Sequence, residues 1–220
     1  MKDRKSLLCG LSVVAGAAVF TAMPSHAATL PLAFACITNN SAANCAAGAT
    51  QLSVDVTDQG VGADQVKFVF NNAGPAASSI TDVYFDDGTL LGIASLADSG
   101  SGVAFSTLAN PSNLPGANNA SPPFETTAGF SADSDPAVQR NGVNPGEWLA
   151  VIFNLQNSGT YADVVRELGT GELRVGMHVQ GFSGGGAESF VNMAAVPLPG
   201  AVLLLGSALA GLGAFRRRQR

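Results

Sequence analysis

Gly181-Phe182-Ser183-Gly184-Gly185 has the Gly-x-Ser-x-Gly spacing of a nucleophile elbow, where a sharp strand-to-helix turn presents a serine hydroxyl. That chemistry also needs a histidine downstream, but His178, the only histidine beyond the N-terminal segment, lies upstream. A glycine run and another strand-like stretch follow Ser183, so a flexible hairpin is the better reading. His178 alternates with Met177 and Val179 and reads as a strand position. Glu125, Glu147, Glu167, Glu172 and Glu188 could supply paired carboxylates for glycoside hydrolysis, but their spacing places no two in one cleft. Asp82, Asp86 and Asp87 form the densest acidic cluster. With turn carbonyls they offer hard oxygen ligands for Ca2+, although the spacing is not that of an EF-hand and Asp86-Asp87-Gly88 also reads as a simple turn. Trp148, Tyr84 and Tyr161 could stack on sugar rings. With so few aromatics, Trp148 is expected in the core. No catalytic residue is assigned, and Ca2+ is the one cofactor considered.

These residues sit among short strands. Gln51 to Thr57 and Gln65 to Asn71 alternate apolar and polar residues with period two. Ile80 to Phe85 is β-branched and aromatic, and Asp87-Gly88 follows as a turn signal. Leu90 to Leu96, Val103 to Leu108, Glu147 to Leu155, Glu172 to Phe182 and Glu188 to Val191 read as further strands. Asn110 to Gly146 carries six prolines among Asn, Ser and Gly. It reads as a long surface excursion with a short strand at Phe124 to Phe130. Thr160 to Leu168 is predicted as one short helix, with Thr160 and Asp163 in a capping-box pattern and Gly169 at its end. The fold class is mainly β, an antiparallel, jelly-roll-like β-sandwich.

The acids of the central region, residues 28–195, number 15 and the bases 4, a net charge of −11 that the overall −5 conceals. A surface so acidic repels phosphates, which argues against nucleic acid. Two cysteines remain there. In an oxidising compartment Cys36 and Cys45 are expected to pair across a polar, flexible stretch from Ile37 to Asn44. A metal site is disfavoured because no histidine lies nearby.

The basic residues concentrate at the two ends. Met1 to Lys5 is a basic start, Leu7 to Ala22 is apolar, and Pro24-Ser25-His26-Ala27 supplies small residues for cleavage. Residues 1–27 therefore read as a secretory signal peptide, lost together with Cys9. At the other end stand Val196, Pro197, Leu198, Pro199 and Gly200. An uncharged apolar stretch follows to Phe215, then Arg216, Arg217, Arg218 and Arg220. A helix from Gly200 to Phe215 would rise about 24 Å, short for a hydrocarbon core of roughly 30 Å, so it reads as a weak membrane anchor whose arginines stay cytoplasmic.

Residues 196–220 resemble a PEP-CTERM sorting domain of the VPLPA-type variant, with Leu198 in place of the commoner Glu and Gly200 in place of Ala. The resemblance implies a Gram-negative exported protein, cut near Pro197-Leu198-Pro199 by an exosortase, a membrane-embedded cysteine transpeptidase or protease. It implies transient anchoring through the C-terminal helix, then release to the cell surface or exterior, among exopolysaccharide and biofilm matrix. For the exported domain, residues 28–195, a non-catalytic role is expected, with extracellular polysaccharide as partner. A secreted carbohydrate-active enzyme and a Ca2+-dependent adhesin are the alternatives.

Overall fold

The computed structural model describes residues 29–100, 102–126 and 130–193; for Ile93 and Ala94 it describes the backbone alone. The expected signal peptide and sorting tail lie outside the described residues. Among the described residues no helix is long and apolar enough to cross a membrane.

The strands are β1 Leu30–Leu32, β2 Phe34–Cys36, β3 Leu52–Thr57, β4 Gln65–Asn72, β5 Ser79–Asp86, β6 Leu91–Asp98, β7 Phe105–Thr107, β8 Ser131–Ser134, β9 Trp148–Leu155, β10 Arg174–Gln180 and β11 Glu188–Asn192. They form two antiparallel sheets, one ordered β1-β3-β4-β9-β6 and the other β2-β11-β10-β5-β8-β7. Period-two alternation directs Val54, Val56, Phe68, Phe70, Val151 and Phe153 of the first sheet inward. Val83, Phe85, Val175, Met177 and Phe190 of the second face them. The two layers lock through edge-to-face phenyl pairs. Phe85 lies 5.1 Å from Phe68 and 4.7 Å from Phe153, ring centre to ring centre.

Among the described residues three α-helices accompany the sheets, where one short helix was expected in this domain. The expected one is α3, Tyr161–Thr170. Thr160 and Asp163 form the reciprocal capping box, and the chain leaves through left-handed Gly171, two residues beyond the expected Gly169. The helix α1, Ala42–Gln51, occupies part of the stretch read as flexible. Its alanines favour helix, and Ser41 caps it by accepting from the Asn44 N–H. Gly48 lies so close to Phe190 that a Cβ there would sit 2.2 Å from the ring. The third helix is a single turn, α2, Val138–Asn141. Cys45 of α1 is disulfide-bonded to Cys36 of β2.

The proline-rich segment is not a mere surface excursion. Ala109, Leu114, Ala117 and Phe124 pack with Tyr84 and Val191 in a second apolar cluster on the outer face of the six-stranded sheet. The short strand expected at Phe124 to Phe130 is displaced: Phe124 belongs to that cluster, and the strand is Ser131–Ser134. This cover explains why β5 is buried on both faces. At the end of β11 the Met193 N–H donates to the Ala33 carbonyl, so the chain leaves the fold beside the place where it enters.

Candidate functional site

The outward residues of the six-stranded sheet form a polar row from strand to strand. Ser189 of β11 is in register with His178 of β10, His178 with Asp82 of β5, Asp82 with Asp133 of β8, and Asp133 with Ser106 of β7. The Ser189 Oγ lies 3.0 Å from His178 Nδ1. Burial lowers the His178 pKa, and the charge of Glu188 opposes that shift. Ser189 is fully buried, so no substrate reaches its hydroxyl.

Asp82 is 4% exposed, and its carboxyl is hydrogen-bonded to that of Asp133. Thr81 Oγ1 donates to it at 2.8 Å, and the Tyr84 hydroxyl lies 3.5 Å away while donating to the Pro111 carbonyl at 3.0 Å. Burial first, then the neighbouring Asp133 charge, push the Asp82 pKa up to about 6. Burial also raises Tyr84. The raised pKa belongs to Asp82, whose burial favours its neutral form.

Asp82, Asp86 and Asp87, the Ca2+ candidates, do not converge. Asp82 and Asp86 are four residues apart on β5, about 13 Å at ~3.3 Å per residue. Asp86 pairs with Arg174 and accepts from the Glu125 N–H. Asp87 accepts from the Leu90 and Leu91 N–H groups at 3.1 and 3.0 Å, closing the turn it was expected to make. Burial raises its pKa. Arg174 clamps the cover segment by donating to the Pro122 and Pro123 carbonyls, both at 2.6 Å, with its guanidinium over the Phe124 ring.

The glutamates have separate duties. Glu188 is wholly buried and accepts from the Thr38 hydroxyl, the Asn40 N–H and the Ser41 N–H, the last at 2.6 Å. It thereby fixes the start of α1. Together with Cys36 and Cys45 it has ligand-like proximity. The sulfurs are bonded to one another, however, and supply no thiolate to a metal. Glu167 and Glu172 both pair with Arg166, and Glu147 accepts from Asn144. Ser183 stands in the β10–β11 hairpin beside left-handed Gly181 and Gly185, and β11 rather than a helix follows it.

Trp148 corrects the sequence reading most clearly. It was expected in the core; instead it is 37% exposed on the open face of the five-stranded sheet. Tyr84 is the buried one, and the Tyr161 hydroxyl donates to the Val56 carbonyl. The run Trp148-Leu149-Ala150-Val151-Ile152-Phe153 is apolar on both faces, which hides its alternation. Polar Asn154 marks the outward parity that Trp148 shares. Asp133 was missed because Ser131-Ala132-Asp133-Ser134 has a single apolar residue and no readable period.

Comparison with protein-family models, with curated proteins and with solved structures finds no match to this chain.

Proposed function

We propose that this chain is an exported surface or extracellular-matrix protein of a Gram-negative bacterium, acting without catalysis on a jelly-roll-like β-sandwich. In this reading a signal peptide directs export, the C-terminal helix holds the protein transiently in the inner membrane, and an exosortase-type protease cuts near Pro197-Leu198-Pro199. The observation that carries the proposal is the order of that motif, the apolar stretch and the arginine cluster within the last 25 residues. Two further features support it. The Cys36–Cys45 bond belongs to an oxidising compartment. The strongly acidic central region suits a protein kept soluble outside the cell.

Deletion of residues 196–220 tests the proposal in the native host. The full chain is expected in the membrane fraction and then, trimmed at both ends, at the surface or in the medium. The deletion variant is expected to bypass membrane retention. Identical fractionation of the two, or an intact mass showing neither cut, would overturn the reading.

A further inference from the structure

The open face of the five-stranded sheet carries an apolar stripe where a solvated face would carry polar residues. Along β9, Leu149, Val151 and Phe153 face the core, so Trp148, Ala150 and Ile152 project outward. Val69 of β4 and Ala97 of β6 flank Ala150 in register. The half-exposed indole stands at one end of the stripe. Lys67, cross-strand partner of Ile152, stands at the other, about 13 Å away at ~3.3 Å per residue. Together they line a shallow trough of about 430 Å3. Amide groups border both ends. Asn71, cross-strand from Trp148, donates to Asp55 at 3.1 Å, and Gln65 donates to Asn154 at 2.8 Å.

We propose that this trough binds a pyranose chain. The C–H face of one sugar lies on the Trp148 indole, and a hydroxyl or carboxylate further along meets Lys67. An apolar platform with a few placed polar groups is the composition of a small-ligand cleft, and the volume falls within the ~300–1,000 Å3 of such sites. A protein partner would need roughly 800 Å2 on this side. One indole, a valine, an isoleucine and two alanines cannot form the apolar centre of so large a contact. Charge points the same way. Lys67 is the only lysine of the acidic central region, and it forms no ion pair among the described residues, whereas Arg166 and Arg174 are both paired. The nearby Asp55 is held by Asn71. The ammonium thus offers a local positive point to a uronate carboxylate.

The inference names a partner for the surface protein described above and rests on that reading only for the compartment in which the polymer is met. Trp148 is the only tryptophan in the chain, so its fluorescence reports the trough directly. The full-length protein in detergent is titrated with defined neutral and uronate-bearing oligosaccharides. A saturable change in emission is expected. On an array of the same sugars, Trp148→Ala should lose about tenfold or more in affinity while Trp148→Phe stays within about threefold. Lys67→Gln should weaken uronate chains and spare neutral ones, which separates the two sugar sources. Far-UV circular dichroism of each variant guards against misfolding. If no oligosaccharide alters the emission, or if the indole becomes buried with rising protein concentration alone, the proposal fails; the second result would assign the face to another copy of the chain. Removing residues 196–220 should leave sugar binding unchanged, so loss of sorting and loss of binding are separable failures.

Discussion

Asp82 is a carboxyl that the fold prefers protonated. Its pKa of about 6 lies above the ordinary 3.8, so the native state binds that proton more tightly than the unfolded chain does. The group disfavours the native state progressively as the pH rises from about 4 through 6. His178, with its lowered pKa, acts in the opposite sense, disfavouring the native state as the pH falls below its ordinary value. Asp82→Asn separates the two, because the amide imitates the neutral acid and leaves His178 in place. The variant should match wild type near pH 4 and exceed it by about 2–3 kcal/mol at pH 7.5. Urea denaturation across that range measures the difference, and a gap independent of pH would remove the account of Asp82 as an acid kept neutral by burial. Glu188 accepts from the Thr38 hydroxyl and from the Asn40 and Ser41 N–H groups. Glu188→Gln replaces one of two accepting oxygens with an NH2 donor that faces a backbone N–H, that of Asn40 or that of Ser41, in a buried site. It should cost about 2–4 kcal/mol in the same assay.

At the scale of elements, the cover over the six-stranded sheet depends on a missing side chain. A Cβ on Gly176 would meet Leu114 at 2.9 Å and Phe124 at 3.1 Å. Gly176→Val should therefore lift the 109–126 segment from β10 while the inner core, which Gly176 does not touch, stays closed. Limited proteolysis should then cut within that segment at protease levels that spare the wild type; resistance equal to wild type would show that the segment holds by other means. The same segment marks where the sequence could be read and where it could not. Strands β3, β4, β5, β9 and β10 announce themselves because one or both of their faces are apolar with period two. The capping box and the Asp87-Gly88 turn are equally local signals. The cover has none, since its apolar residues Leu114, Ala117 and Phe124 are scattered among prolines and only the tertiary fold gathers them. The helix α1 was hidden for a different reason: its alanines carry helix propensity but almost no amphipathic period. The polar row from Ser189 to Ser106 was invisible because register between strands distant in sequence is not written in any one of them.

For the whole molecule, the disulfide joins β2 to α1, with Cys36 and Cys45 nine positions apart. Closing so short a loop removes freedom from the unfolded chain worth about 2–3 kcal/mol. The Cys36→Ser, Cys45→Ser variant should lose stability by that amount and still fold on its large phenylalanine core; calorimetry in the absence of reductant is the measurement. Both ends of the domain meet at the same edge, where β11 runs between β2 and β10 and Met193 is tied to Ala33. This arrangement has a mechanical consequence. Tension that separates the two ends of the domain loads the antiparallel β2–β11 pair at its Phe34–Asn192 end. The bonds of that pair then open one after another from that end instead of slipping together. The seam between β2 and β11 is thus the one that tension between the two ends opens first, and the Cys36–Cys45 bond passes that load on to α1.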